Sequence, residues 1–249
     1  MWAIKLLTVQ NLLFAKIQIE FYEKAPGKIL VLFLLFVICF ATLAIKPKEK
    51  LKYLALGDSY TIGESVDQPL TFPFLLETKL KNEAKIDLAQ TKVIAKTGWT
   101  TAELLKGIQS IKPKPEYDLV TLLIGVNNQY RGQDIEIYKS ELQTLINQSI
   151  GFAKGKAGHV IMVSIPDYGC TPFGMEMADK IDSELRQYNS INKELAKKNG
   201  LNWVDVFEIS KKAGSNPELI ASDKLHPSAA MYALWVQDIF PVAKSILEN

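Results

Sequence analysis

A serine hydroxyl is a poor nucleophile until a base removes its proton, and the chain carries two histidines able to do so, His159 and His226. His226 sits in SDKLHPSA, and Asp223 precedes it by three residues, a spacing that lets a carboxylate hold the imidazole in one tautomer. Ser59 lies far upstream in GDSYTIGES, directly after a β-forming run, in a tight turn made by Gly57 and Asp58. These residue types could do nucleophilic catalysis, with Ser59 as the candidate nucleophile and His226 as the candidate base, while the D-x-x-H spacing alone also fits a turn or cap aspartate and a surface histidine. His159 opens the run HVIMVS at its amino end, the wrong edge of a parallel sheet for a ligand site, so it reads as a strand-start residue. Asp58 reads as a turn-forming carboxylate, because proton transfer is already supplied at His226.

The elements that must position these residues alternate along the chain. KYLALG, TKVIAKTG, YDLVTLLIG, HVIMVSI and LNWVDVF read as strands. FPFLLETKLKNE, TAELLKGIQ and residues 134–152, 176–199 and 228–247 have helical period, with Gly200 closing the fourth helix. LVTLLIG and VIMVSI are unbroken apolar runs, as strands buried on both faces must be. The expected fold is therefore α/β: a three-layer α/β/α sandwich around a five-stranded parallel sheet, flavodoxin-like in kind. Ligands of such sheets sit at the carboxyl ends of the strands, where Ser59, Gly98 and Asn127 follow the first three.

In chain order, GDSYTIG, the isolated glycine of KTGWTT, GVNN and DKLHPS resemble blocks I, II, III and V of the SGNH (GDSL) hydrolase family. The resemblance covers about residues 52 to 245, and IPDYGCTPFG is also similar to segments of its lipase-like and esterase-like members. It implies the SGNH fold and a serine ester hydrolase whose triad is Ser59, Asp223 and His226. It further implies an oxyanion hole built from the Ser59 N–H, Gly98 and Asn127. Backbone N–H groups and an amide side chain suit that task, since an oxyanion needs donors already in place. Block III commonly reads G-x-N-D, and Asn128 stands where the aspartate would be, which removes one charge and any ion pair it would make. The G-x-S-x-G elbow of α/β-hydrolases is missing around Ser59. Trp99, Tyr130, Tyr168 and Phe173 follow strands and are read either as lining of an acyl or leaving-group pocket or as packing.

The implied substrates are small-molecule, glycan or lipid acyl esters, with sugar O-acetyl esters and lysophospholipids as the two main candidates. A catalytically silent exported protein that binds acylated glycans is the alternative. No cofactor is expected, because zinc, nucleotide and dinucleotide motifs are absent from the sequence.

With 249 residues, 48% of them hydrophobic and 22% charged, the chain is long enough for one large domain with residues to spare. Ile29 to Ile45 is a run of 17 residues without a charge, which reads as an export signal or a membrane anchor. Either reading exports the remainder, and the anchor reading makes the membrane a partner through residues 29–45. Residues 46–51 are expected to be a solvated linker and residues 52–249 the hydrolase domain. Beyond residue 45 the chain has 25 basic and 25 acidic residues, a balance that gives nucleic acid no general attraction. Of the two cysteines, Cys39 lies in the apolar stretch and Cys170 in the domain, so no disulfide is expected within the domain.

Overall fold

A strand buried on both faces must be apolar along its whole length. Accordingly, every residue of β3 (Leu119–Leu123) and of β4 (Val160–Val163) is buried. A computed structural model describes residues 51–248, and the apolar stretch 29–45 and all of the linker but Leu51 lie outside the described residues. With β1 (Leu51–Gly57), β2 (Leu88–Ala95) and β5 (Asn202–Val204), these strands form one parallel sheet in the order β2-β1-β3-β4-β5. The order reverses between β1 and β3, and the crevice at their carboxyl ends is where such sheets hold ligands.

The helices are α1 (Ser59–Ile62), α2 (Phe72–Ala84), α3 (Thr101–Ile111), α4 (Val126–Tyr130), α5 (Ile135–Phe152), α6 (Ala178–Asn199), α7 (Phe207–Ser210) and α8 (Ala229–Glu248). They fall into two packed groups, α2 with α8 and α3 with α5 and α6, which complete the α/β/α layering. Local chemistry sets several of their ends. Thr100 and Glu103 form a reciprocal capping box at α3, Asp134 caps α5, and Gly200 closes α6 in the left-handed region with φ 73°. No helix among the described residues is long and apolar enough to cross a membrane.

The structure departs from the sequence expectation in small ways, each with a local cause. β1 takes in Leu51, one residue before the expected domain start, because the strand pairs with Leu88 there. LNWVDVF is strand only through Val204: Asp205 accepts from the Phe207 N–H at 2.9 Å and turns the chain into α7. The long helix begins at Ala178, after a 3-10 turn at Met175–Met177. His159 ends a 3-10 turn just before β4, and its Nδ1 lies 2.7 Å from the Asp118 carbonyl, at the edge of the sheet remote from the crevice.

The close approach of β1 to β3 leaves no room for a side chain at Gly57. A Cβ there would lie 2.1 Å from Thr61 Oγ1 and 2.3 Å from the Leu123 carbonyl oxygen, and the latter is backbone in a buried strand. Gly57→Ala is expected to cost about 3 kcal/mol of stability, read from urea unfolding against wild type, because the sheet itself must shift.

Candidate active site

The turn after β1 is built by Asp58. Its side chain caps α1, with Oδ1 accepting from the Tyr60 N–H at 3.0 Å, so its geometry is that of a turn-former. Asp58 is fully buried, and its Oδ2 has no hydrogen-bond partner among the described residues. Burial pushes its carboxyl up to about 7, against the opposing pull of the Tyr60 N–H. Ser59 follows at the first position of α1. The next residue, Tyr60, packs its ring edge against His226 at 5.7 Å and accepts a hydrogen bond at its carbonyl from Tyr232 of α8. An aromatic cluster of Tyr60, Phe72, Tyr232 and Trp235 thus lies beneath the turn that carries Ser59.

Asp223 and His226 meet as their spacing predicts. His226 Nδ1 lies 2.6 Å from Asp223 Oδ2, while Oδ1 accepts from the Leu225 and His226 N–H groups at 2.9 Å each. With Nδ1 donating to the carboxylate, Nε2 carries the lone pair that a base needs. Oδ2 also accepts from the Ser65 hydroxyl at 2.7 Å, a partner 158 residues away that nothing in the sequence marks. Burial alone would raise the Asp223 carboxyl, yet these N–H and O–H donors hold it well below the usual carboxylate range.

The loops after β2 and β3 carry the expected oxyanion donors. Gly98 adopts φ 82°, the left-handed region that favours glycine, and its carbonyl accepts from Arg131 Nη2 at 2.6 Å. Arg131 also pairs with Glu103 at 3.2 Å, so one cation ties this loop to the cap of α3. Asn127 donates from Nδ2 to the Trp99 carbonyl at 3.0 Å, which engages one of its two amide hydrogens. Asn128 is fully buried: its Oδ1 accepts from the Thr101 N–H at 3.1 Å, and its Nδ2 donates to Thr101 Oγ1 at 2.6 Å and Gln133 Oε1 at 2.9 Å. The Thr101 hydroxyl in turn donates to Glu141. An amide at position 128 therefore ties the two loops together without the charge of an aspartate.

Ser59, Asn127 and His226 line one cavity of about 140 Å³ together with Tyr130, Tyr168 and Phe173. The three aromatic rings contact one another at 6.0 to 6.3 Å and form an apolar wall, with Tyr130 57% and Phe173 51% exposed. Gly98 is not among the lining residues, although Ala95, three residues before it, is in register with Gly57. Trp99 is packing: its indole covers Gly107 of α3. Cys170 is no competing nucleophile, since its thiol donates to the Asp167 and Ser210 carbonyls and burial pushes it up to about 11.

A family model described as GDSL-like Lipase/Acylhydrolase family matches residues 55–234. Among solved structures, one titled TesA is 17% identical with a TM-score of 0.63, covering 79% of this chain and 99% of that one. The psychrotrophic esterase EstA from a Pseudoalteromonas species is 17% identical with a TM-score of 0.60, covering 80% and 99%. An acetyl xylan esterase from Geobacillus stearothermophilus is 20% identical with a TM-score of 0.57, covering 78% and 94%. At these identities the likeness is one of fold. A sequence search of curated proteins finds no match.

Asp58 gives stability a signed pH dependence. Its folded value, about 7, lies above its unfolded value near 3.8, so it favours the folded state fully below about pH 4, and that contribution is lost as pH rises through 7. Urea unfolding across this range is expected to show a downward stability slope in wild type that is smaller in Asp58→Asn, whose amide does not ionise.

Proposed function

The chain belongs to the GDSL-like lipase/acylhydrolase family and is a carboxylic ester hydrolase, and from that premise we propose that it works through a Ser59–His226–Asp223 triad. The observation that carries this reading is the 2.6 Å contact of His226 Nδ1 with Asp223 Oδ2, in a histidine that lines the same cavity as Ser59. His226 Nε2 takes the Ser59 proton as Oγ attacks the ester carbonyl, and the oxyanion is held by the Ser59 N–H, Gly98 and the free amide hydrogen of Asn127. The alcohol departs with the proton from His226. Water, deprotonated by the same imidazole, then attacks the acyl-enzyme and releases the carboxylic acid and Ser59.

The substrate in this proposal is an ester of a short to medium apolar acid, with its acyl chain against Tyr130, Tyr168 and Phe173. A cavity of about 140 Å³ is close to the size that accepts a benzene ring, which corresponds to about four to six carbons of chain. The acetyl xylan esterase among the structural neighbours makes O-acetyl sugars the natural competing substrate. Export of the domain is part of the same proposal, supported by the uncharged stretch Ile29 to Ile45. The mass of the protein purified from its host separates a cleaved signal from a retained anchor, and a chain found intact in the soluble cell fraction would refute export.

Hydrolysis of p-nitrophenyl esters by the full-length chain tests the chemistry and the acyl group together. Ser59→Ala and His226→Ala are each expected to lower kcat by about 10⁴-fold or more, and Asn127→Ala by about 100-fold to 1,000-fold. Butanoate and hexanoate esters are expected to be the fastest, and Phe173→Ala to lower kcat/KM for hexanoate about tenfold more than for acetate. Full activity in Ser59→Ala would remove the triad, whereas a preference for acetate that Phe173→Ala leaves untouched would remove the apolar acyl chain alone.

A further inference from the structure

Ser65 occupies a position that ordinarily belongs to glycine. The N–H of Val66 donates to the Gly63 carbonyl at 3.1 Å, closing a four-residue turn in which Ser65 is third and has φ 64°. A positive φ at that place is the type II pattern, which favours Gly or Asn, and a serine there is held at a conformational cost. The turn also belongs to the nucleophile: the N–H groups of Gly63 and Glu64 both donate to the Ser59 carbonyl at 3.0 Å. From this turn the Ser65 hydroxyl reaches 2.7 Å to Asp223 Oδ2, the oxygen that faces His226 Nδ1.

We infer that Ser65 is a positioning residue of the triad, whose hydroxyl fixes the Asp223 oxygen that orients His226 and couples the nucleophile's turn to the base's loop. The carboxylate has two oxygens with different anchors. Oδ1 is held by two backbone N–H groups of its own loop, which any acceptor at position 223 would attract. Among the described residues Oδ2 has the imidazole and Ser65 alone, so Ser65 is the one anchor of that oxygen among them that comes from outside the loop of residues 223–226. Because the turn carrying Ser65 is closed onto the Ser59 carbonyl, the same bond helps fix the separation between nucleophile and base. The side chain is exposed, so water partly replaces a lost hydroxyl and the effect is moderate rather than total.

The inference rests on the triad reading, and its test keeps the two apart. Full-length wild type, Ser65→Gly, Ser65→Ala and Ser59→Ala are compared by the rate of phosphonylation with a fluorophosphonate, by kcat and KM on p-nitrophenyl butanoate, and by the thermal unfolding midpoint. Both Ser65 variants are expected to lose about 5-fold to 10-fold in phosphonylation rate and kcat with KM unchanged. Glycine is at home with a positive φ, so Ser65→Gly is expected to unfold no earlier than wild type while losing rate. A merely structural serine would give the opposite pairing, with rate retained. Labelling of wild type and none of Ser59→Ala, together with wild-type rates in Ser65→Gly, overturns the role of Ser65 and leaves the triad standing. Wild type that resists phosphonylation at Ser59 overturns the triad and Ser65 with it. Should Ser65→Ala fold poorly under its left-handed φ, the glycine variant decides alone.

Discussion

Four donors converge on one carboxylate, that of Asp223: two backbone N–H groups, an imidazole and a hydroxyl from the far end of the domain. The loop that holds it has no strand of its own. Its order comes from Asp223 Oδ1, from the Ala221 N–H donating to the His226 carbonyl at 2.8 Å and from an isolated bridge between Ile220 and Pro227. Lys224 sits at φ 65° within it, a conformation that persists because these bonds over-determine the turn. An acceptor strong enough to gather these donors has to be ionised, and the same donors keep it so. The interaction that shapes the loop is thus the one that sets the tautomer of His226.

Around that loop the sheet supplies rigid positions. β1 and β3 run side by side and release their chains at one edge, which brings the Ser59 turn and the Asn127 helix into one crevice. α8 contributes from below, where Tyr232 holds the Tyr60 carbonyl and the Tyr60 ring meets His226 edge-on. Asp58 caps the helix that begins at Ser59 from a fully buried position that raises its own carboxyl to about 7. The aromatic wall of Tyr130, Tyr168 and Phe173 is different in kind, because two of its three members stay half open to solvent. Rings that stay exposed beside a cavity have surface left for a ligand to cover.

Asn128 illustrates how a departure from a family pattern is absorbed. Its amide both donates and accepts across to Thr101, a reciprocal pairing that an ionised carboxylate cannot make. The negative charge lies one step further out, on Glu141, which accepts from the Thr101 hydroxyl. The loops bearing Gly98 and Asn127 are therefore joined by neutral hydrogen bonds inside and by the Arg131–Glu103 pair outside.

Two periods and a few short motifs were legible in the sequence. Unbroken apolar runs gave the buried strands β3 and β4, helical spacing gave the long helices, and their alternation gave a parallel sheet, because hydrophobic burial acts on local patterns. The D-x-x-H spacing was equally readable, since Asp223 reaches His226 within one turn of chain. Element ends were less so: β5 stops early and α6 starts late because Asp205 and the residues at 175–177 make turns through their own local hydrogen bonds. What only the tertiary structure decided is which distant residues complete the site. Ser65 reaches Asp223 across 158 positions, Asn128 reaches Thr101 across 27, and Trp99 packs on Gly107 while the other three aromatic candidates face the cavity. Such contacts depend on the sheet order and on how loops fold over its edge, and no local period carries that information, because a hydrogen bond reads distance in space rather than along the chain.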